Sequence, residues 1–108
     1  MNLQRLYKMQ KKLDDSIMQG KEMSDNEVLV SRILALQTEI SEFANATRCF
    51  KYWSTKEADK REDILEEYVD IMHFFLSLGN TLGFTPVEIE QAYLKKNEEN
   101  YRRQKEGY

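Results

Sequence analysis

Leu3, Leu6, Met9, Leu13 and Ile17 recur at three- and four-residue intervals near the start of the chain, the spacing of one apolar stripe along a helix. The pattern predicts a first helix from about residue 3 to 19, ended by Gly20. Ser24-Asp25-Asn26-Glu27 then reads as a capping box, in which the serine oxygen accepts from a backbone N–H and the glutamate reaches back. It opens a second helix to about residue 48, with Val28, Leu29, Ile33, Leu36, Ile40 and Phe43 on its apolar positions. The run CFKYWSTKEADK breaks the periodicity as an aromatic and basic connection. A third helix is expected from about 61 to 82, stopped by Gly83 in a left-handed conformation. Thr85-Pro86-Val87-Glu88 is a second capping box, with proline where a helix tolerates it best, and starts a last helix to about residue 104. There is no internal repeat and no low-complexity tract. One proline and four glycines in 108 residues leave the chain nearly unbroken. The expectation is an all-α protein, a single domain over residues 1–108 built as an antiparallel four-helix bundle.

The third helix departs from simple amphipathicity. Ile64, Leu65, Tyr68, Val69, Ile71, Met72, Phe75 and Leu76 cover most of its circumference, which predicts a buried helix. Yet Glu67 and Asp70 sit three apart within it, as Glu39 and Glu42 do in the second helix. Surface carboxylates on helices usually have basic neighbours three or four residues away. None of these four does: Glu39 has Ala35, Leu36, Glu42 and Phe43 at those offsets, and Asp70 has Glu66, Glu67, His73 and Phe74. Burying unpaired carboxylates costs several kcal/mol each unless they protonate or meet a cation. Four converging carboxylates are most simply reconciled with folding by a divalent metal, and all-oxygen ligation favours Mg²⁺ or Mn²⁺. A di-iron bundle would need Glu-x-x-His from two helices. His73 is the only histidine in the chain, so that ligand set cannot be built.

Composition narrows the partners. The net charge of −3, with signs nearly balanced, gives no strongly basic face and excludes a duplex nucleic-acid partner. No apolar run reaches the length of a membrane span, and the start shows no signal-sequence pattern. Cys49, a lone cysteine, rules out an internal disulfide and fits a reducing cytoplasm. In the last helix Lys96, Asn100 and Arg103 fall within about 60° of one face, bordered by Asn97, a grouping suited to phosphate oxygens. A divalent metal together with a cationic arm is a common way to hold a triphosphate. Phe50, Tyr52 and Trp53 could stack on a base. The residues alone favour the plainer expectation that Phe50 and Trp53 plug the end of the bundle and that His73 is a satisfied core histidine.

The stretches TEISEFANATRCFKYWS, LEEYVDIMHFFLSLGNTLGF and YLKKNEENYRRQKEGY resemble the all-α, dimeric-type dUTPases of the all-α NTP pyrophosphatase superfamily, which also holds MazG-type enzymes and dCTP pyrophosphatases. The resemblance covers nearly the whole chain. It implies Mg²⁺-dependent hydrolysis of dUTP, and of dUDP, to dUMP, with metal ligands on Glu39, Glu42, Glu67 and Asp70. Glu39 or Glu42 would act as general base on an attacking water. It implies phosphate binding by Lys96, Asn97, Asn100 and Arg103, with Gln10 on the uracil edge, Trp53 near the nucleoside, and His73 and Phe74 lining the base and sugar pocket. A tight sugar pocket would exclude a ribose 2′-hydroxyl, and thymine's methyl would be excluded in the same way.

Most such dUTPases are longer between the Glu-x-x-Asp helix and the C-terminal motif, a gap that GNTLGFTPVEIEQAY crosses in a few residues. Helices this apolar carry more hydrophobic surface than one bundle can cover, so a homodimer or homotetramer is expected. Two alternatives stay open on sequence: a pyrophosphatase for another deoxynucleotide such as dCTP, and a non-catalytic helical interaction module.

Overall fold

A computed structural model describes residues 1–107, and Tyr108, the last residue of the C-terminal motif, lies outside the described residues. Four helices follow one another: α1 (Leu3–Met18), α2 (Asp25–Thr47), α3 (Arg61–Thr81) and α4 (Pro86–Lys105). No strand is present among the described residues. None of these helices is long and apolar enough to cross a membrane.

The helix ends follow local chemistry. Asn2 caps α1, its side-chain oxygen accepting from the Arg5 backbone N–H at 3.0 Å. The Thr85–Glu88 box is complete: Glu88 N–H donates to Thr85 Oγ1 at 3.2 Å, and Thr85 N–H donates to Glu88 Oε2 at 2.9 Å. The Ser24 box is half formed. Glu27 N–H donates to Ser24 Oγ at 3.1 Å, but the Glu27 carboxylate accepts from the serine hydroxyl and does not reach back to the backbone. Gly83 has φ +74° just beyond α3, as its position in the sequence predicts. α2 stops differently, on Arg48 in the left-handed region at φ 57°. Its guanidinium donates to the Lys56 carbonyl and to Ser54 Oγ at 3.1 and 2.8 Å, which folds the aromatic connection back beneath the helix end.

α2 and α3 form an antiparallel pair, since Arg32 meets Thr81 at one end and Phe43 meets Tyr68 near the other. α1 crosses α3, and α4 makes its closest backbone approach to α1. The fully buried apolar side chains are Tyr7, Ala46 and Leu76. At the α1–α3 crossing the Tyr7 ring lies so close to Gly79 that an added Cβ would stand 2.6 Å from Tyr7 Cε1. Asn80 donates to the Tyr7 carbonyl at 3.0 Å and locks the same crossing.

The arrangement is open. The radius of gyration is 17.3 Å, against about 13 Å for a compact chain of this length. The accessible surface is 8931 Å², larger by about 2,600 Å² than expected for a compact monomer of this mass. The sequence predicts burial all round α3, but only the sides facing α1 and α2 are covered. Leu65, Tyr68, Val69 and Phe75 remain exposed, as do Ile33, Leu34 and Ile40 on α2 and Tyr93, Leu94 and Tyr101 on α4.

Gly79→Ala should force the buried Tyr7 ring or the helix crossing to shift, which costs about 1–3 kcal/mol for overpacking. Thermal melting reads this as a lowered Tm, and an unchanged Tm would contradict the close approach.

Candidate active site

The third-residue spacing within each acidic pair places both members on one helix face, and antiparallel pairing turns the two faces toward each other. Carboxylate oxygens of Glu39, Glu67 and Asp70 lie within 4.8 Å of one another. Oε2 of Glu39 and Oε2 of Glu67 are buried without any hydrogen-bond partner. Burial pushes the Glu39 carboxyl above its usual range, and the neighbouring charges of Glu42, Asp70 and Glu67 add to the shift. Glu67 is raised in the same way, first by burial and then by Glu42 and Asp70. Glu42 is not a member of the three-residue group and is exposed, yet it is near enough to help raise the carboxyls of Glu39 and Glu67. The donors are all oxygen, two of them orphaned and desolvated, and this fits a hard divalent cation.

One turn beyond Asp70, His73 Nδ1 lies 2.6 Å from Gln10 Oε1 on α1. Gln10 Nε2 donates to Asp14 Oδ1 at 2.9 Å, and Ser77 Oγ donates to Asp14 Oδ2 at 2.7 Å. Arg32 on α2 sits 3.9 Å from the same carboxylate and donates to Thr81 Oγ1 at 2.7 Å. A continuous polar network therefore adjoins the acidic group. Gln10 is only 6 % exposed and Ser77 only 1 %. Asp14, Arg32 and Thr81 also line an open cleft of about 620 Å³ that none of the four acidic residues lines.

The remaining sequence candidates are dispersed. His73 is exposed and hydrogen-bonded, not a core residue, and Phe74 is half-buried. Trp53 is 64 % exposed, packed edge-on against Phe50 and Tyr52 with ring centroids 6.0 and 5.3 Å away. Within one chain neither Phe50 nor Trp53 plugs the bundle, since both rings are about half exposed or more. Lys96, Asn97 and Asn100 are exposed on α4, and Arg103 is half-buried with its Nε donating to Glu99 at 3.2 Å. Glu99 also takes hydrogen bonds from Arg102, which hold its carboxyl below the usual range. α4 has its closest backbone approach to α1, and the cleft lined by Lys96 and Arg103 includes none of the four acidic residues, so the cationic stripe and the acidic group are not brought together within one chain.

Asp14, Arg32, Ser77 and Thr81 are absent from the sequence expectation. Two signals pointed to them: Arg32 interrupts the apolar face of α2 beside Ile33, and Ser77 interrupts the run FFLSL on α3. Neither signal names its partner across helices.

The raised carboxyls have a consequence for stability. An acid whose folded pKa lies above its unfolded value of about 4.3 contributes stability below that value and loses it as pH rises through the folded one. Metal-free protein should therefore lose Tm as pH rises from about 4 toward neutrality. Glu39→Gln should flatten that loss, and saturating Mg²⁺ should remove it. A pH profile identical in wild type and variant would contradict the clustering.

Among known proteins, the family model described as dUTPase matches the chain over residues 2–83 and again over 75–108. No curated protein matches the chain. The two matched pieces together span nearly all of the sequence and overlap at the end of α3, before the short crossing into α4. The chain belongs to the dUTPase family, the enzymes that hydrolyse dUTP.

Proposed function

We propose that the protein is a Mg²⁺-dependent dUTP diphosphatase that converts dUTP to dUMP and pyrophosphate, accepts dUDP at the same site, and takes Mn²⁺ as a substitute ion. The observation that carries this reading is the pair of buried, unpartnered oxygens on Glu39 and Glu67, set with Asp70 on two antiparallel helices. Glu39, Glu42, Glu67 and Asp70 hold the ion. When bound, a divalent cation offsets phosphate charge and lowers the pKa of water.

Water adds across the α–β phosphoanhydride: its oxygen bonds to phosphorus, the bridging P–O bond breaks, and its proton passes to a carboxylate of the first pair. Glu42 is the carboxylate we assign to the proton transfer, since it is exposed to solvent beside Glu39 and Glu67 and helps to raise both of their carboxyls. Lys96, Asn97, Asn100 and Arg103 bind the phosphates, the arginine by two donors and the lysine as a point charge. Gln10, Trp53, His73 and Phe74 form the nucleoside side, with Gln10 and His73 already joined by a hydrogen bond one turn from Asp70.

The working form is a homodimer or homotetramer. The surplus surface falls in the range that obligate interfaces bury, and it is apolar on α2, α3 and α4. In that assembly the α4 stripe, set apart from the acidic group within one chain, reaches substrate phosphates.

A panel of deoxynucleoside triphosphates with Mg²⁺, assayed for pyrophosphate, should show dUTP as the preferred substrate. Glu42→Gln should lose about 10²-fold or more in kcat. No metal-dependent release from any nucleotide, or full activity in Glu42→Gln, would sink the reading, and a preference for dCTP would correct the base. Light scattering should give a mass of two or four chains, whereas a stable monomer would contradict the assembly.

A further inference from the structure

Gln10 has only one workable orientation. A carboxylate can accept but not donate, so the amide nitrogen must face Asp14 Oδ1, 2.9 Å away. Its carbonyl oxygen then faces His73 Nδ1 at 2.6 Å. Two acceptors cannot share a hydrogen bond, so the proton sits on Nδ1 and the imidazole donates. A neutral ring protonated at Nδ1 keeps its lone pair on Nε2, at the opposite edge of the ring. His73 is exposed and one turn from Asp70, so the buried amide sets the hydrogen-bonding character of the ring's other nitrogen. Asp14 is itself fixed. Ser77 Oγ donates to Oδ2 at 2.7 Å, Arg32 Nη2 lies 3.9 Å from the same oxygen, and Arg32 is anchored on Thr81. The side chains of Arg32 and Asp14 are 18 % and 13 % exposed, which restricts rearrangement.

We propose that Asp14 is the positioning residue that makes the site prefer uracil to cytosine. It fixes the direction of the Gln10 amide, the amide fixes the tautomer of His73, and the Nε2 acceptor meets the imide N–H of uracil. Cytosine carries an unprotonated ring nitrogen at that position, so the two lone pairs oppose each other and the hydrogen bond is lost. The inference rests on the reading of Gln10 and His73 as the nucleoside side of a dUTP-hydrolysing site.

Asp14→Asn tests it while conserving size. Asparagine can present a donor to Gln10, which frees the amide to turn and lets His73 carry its proton on Nε2. The ratio of kcat/KM for dUTP over dCTP should fall by about tenfold or more, through loss with dUTP and gain with dCTP. Ser77→Ala removes one partner of Asp14 without changing its polarity, and the ratio should hold. His73 is the only histidine, so its ring ¹⁵N shifts across a pH series read the tautomer of the neutral ring directly. Wild type should be protonated at Nδ1, and Asp14→Asn should shift toward Nε2. A wild-type ring protonated at Nε2, or an unchanged substrate ratio in folded Asp14→Asn, overturns the inference while leaving the dUTP reading intact. Absence of dUTP hydrolysis by the wild type overturns that underlying reading, and the base preference with it.

Discussion

Two carboxylate oxygens with neither solvent nor partner, Oε2 of Glu39 and Oε2 of Glu67, set the terms for the rest of this fold. Both residues belong with Asp70 to one carboxylate group across the α2–α3 seam, and Glu42 helps to raise both of their carboxyls. Repulsion across such a seam pushes the helices apart. It is opposed by the Phe43–Tyr68 contact near one end, and the buried apolar side chains on the two helices are only Ala46 and Leu76. That is a thin apolar layer for 108 residues. A counter-charge at the carboxylates is the addition that relieves most of the opposing force.

α3 organises what surrounds this seam. Glu67, Asp70, His73, Ser77 and Thr81 lie within an arc of about 120° on a helix that is apolar around most of its circumference. This single stripe passes from the acidic group to the hydrogen-bonded network shared with α1 and α2. The stripe explains how a helix with apolar residues around most of its circumference can still carry chemistry. His73, Ser77 and Thr81 find partners on other helices while Glu67 Oε2 finds none, and the remaining apolar flanks of α3 stay exposed until another surface covers them. Charge and hydrogen-bond direction at one end of the stripe are thereby tied to helix packing at the other.

The helices themselves were legible from sequence, because Gly20, Ser24, Thr85-Pro86 and Gly83 act on their immediate neighbours. The acidic pairs were legible too, as charges without local compensation. Three features were not. Arg48 ends α2 in a left-handed conformation that its own guanidinium stabilises through Ser54 and Lys56, and no glycine marks that position. Asp14 and Arg32 read as ordinary helix charges because their partners lie on other helices. The apolar girth of α3 signals burial without saying against what, and α1 and α2 cover only part of it. Local rules find helix ends, while cross-helix partners require the crossing geometry that Tyr7 and Gly79 create.

The central claim is that the α2–α3 carboxylates form a divalent-metal site. Electron paramagnetic resonance of Mn²⁺ titrated into metal-free protein tests it most directly, because bound and free ion give separate signals without any need for turnover. The account predicts saturable Mn²⁺ binding that Mg²⁺ displaces and that Glu39→Gln or Glu67→Gln abolishes in otherwise folded protein. Binding unaffected by both substitutions, or no binding with dUTP present, would contradict it.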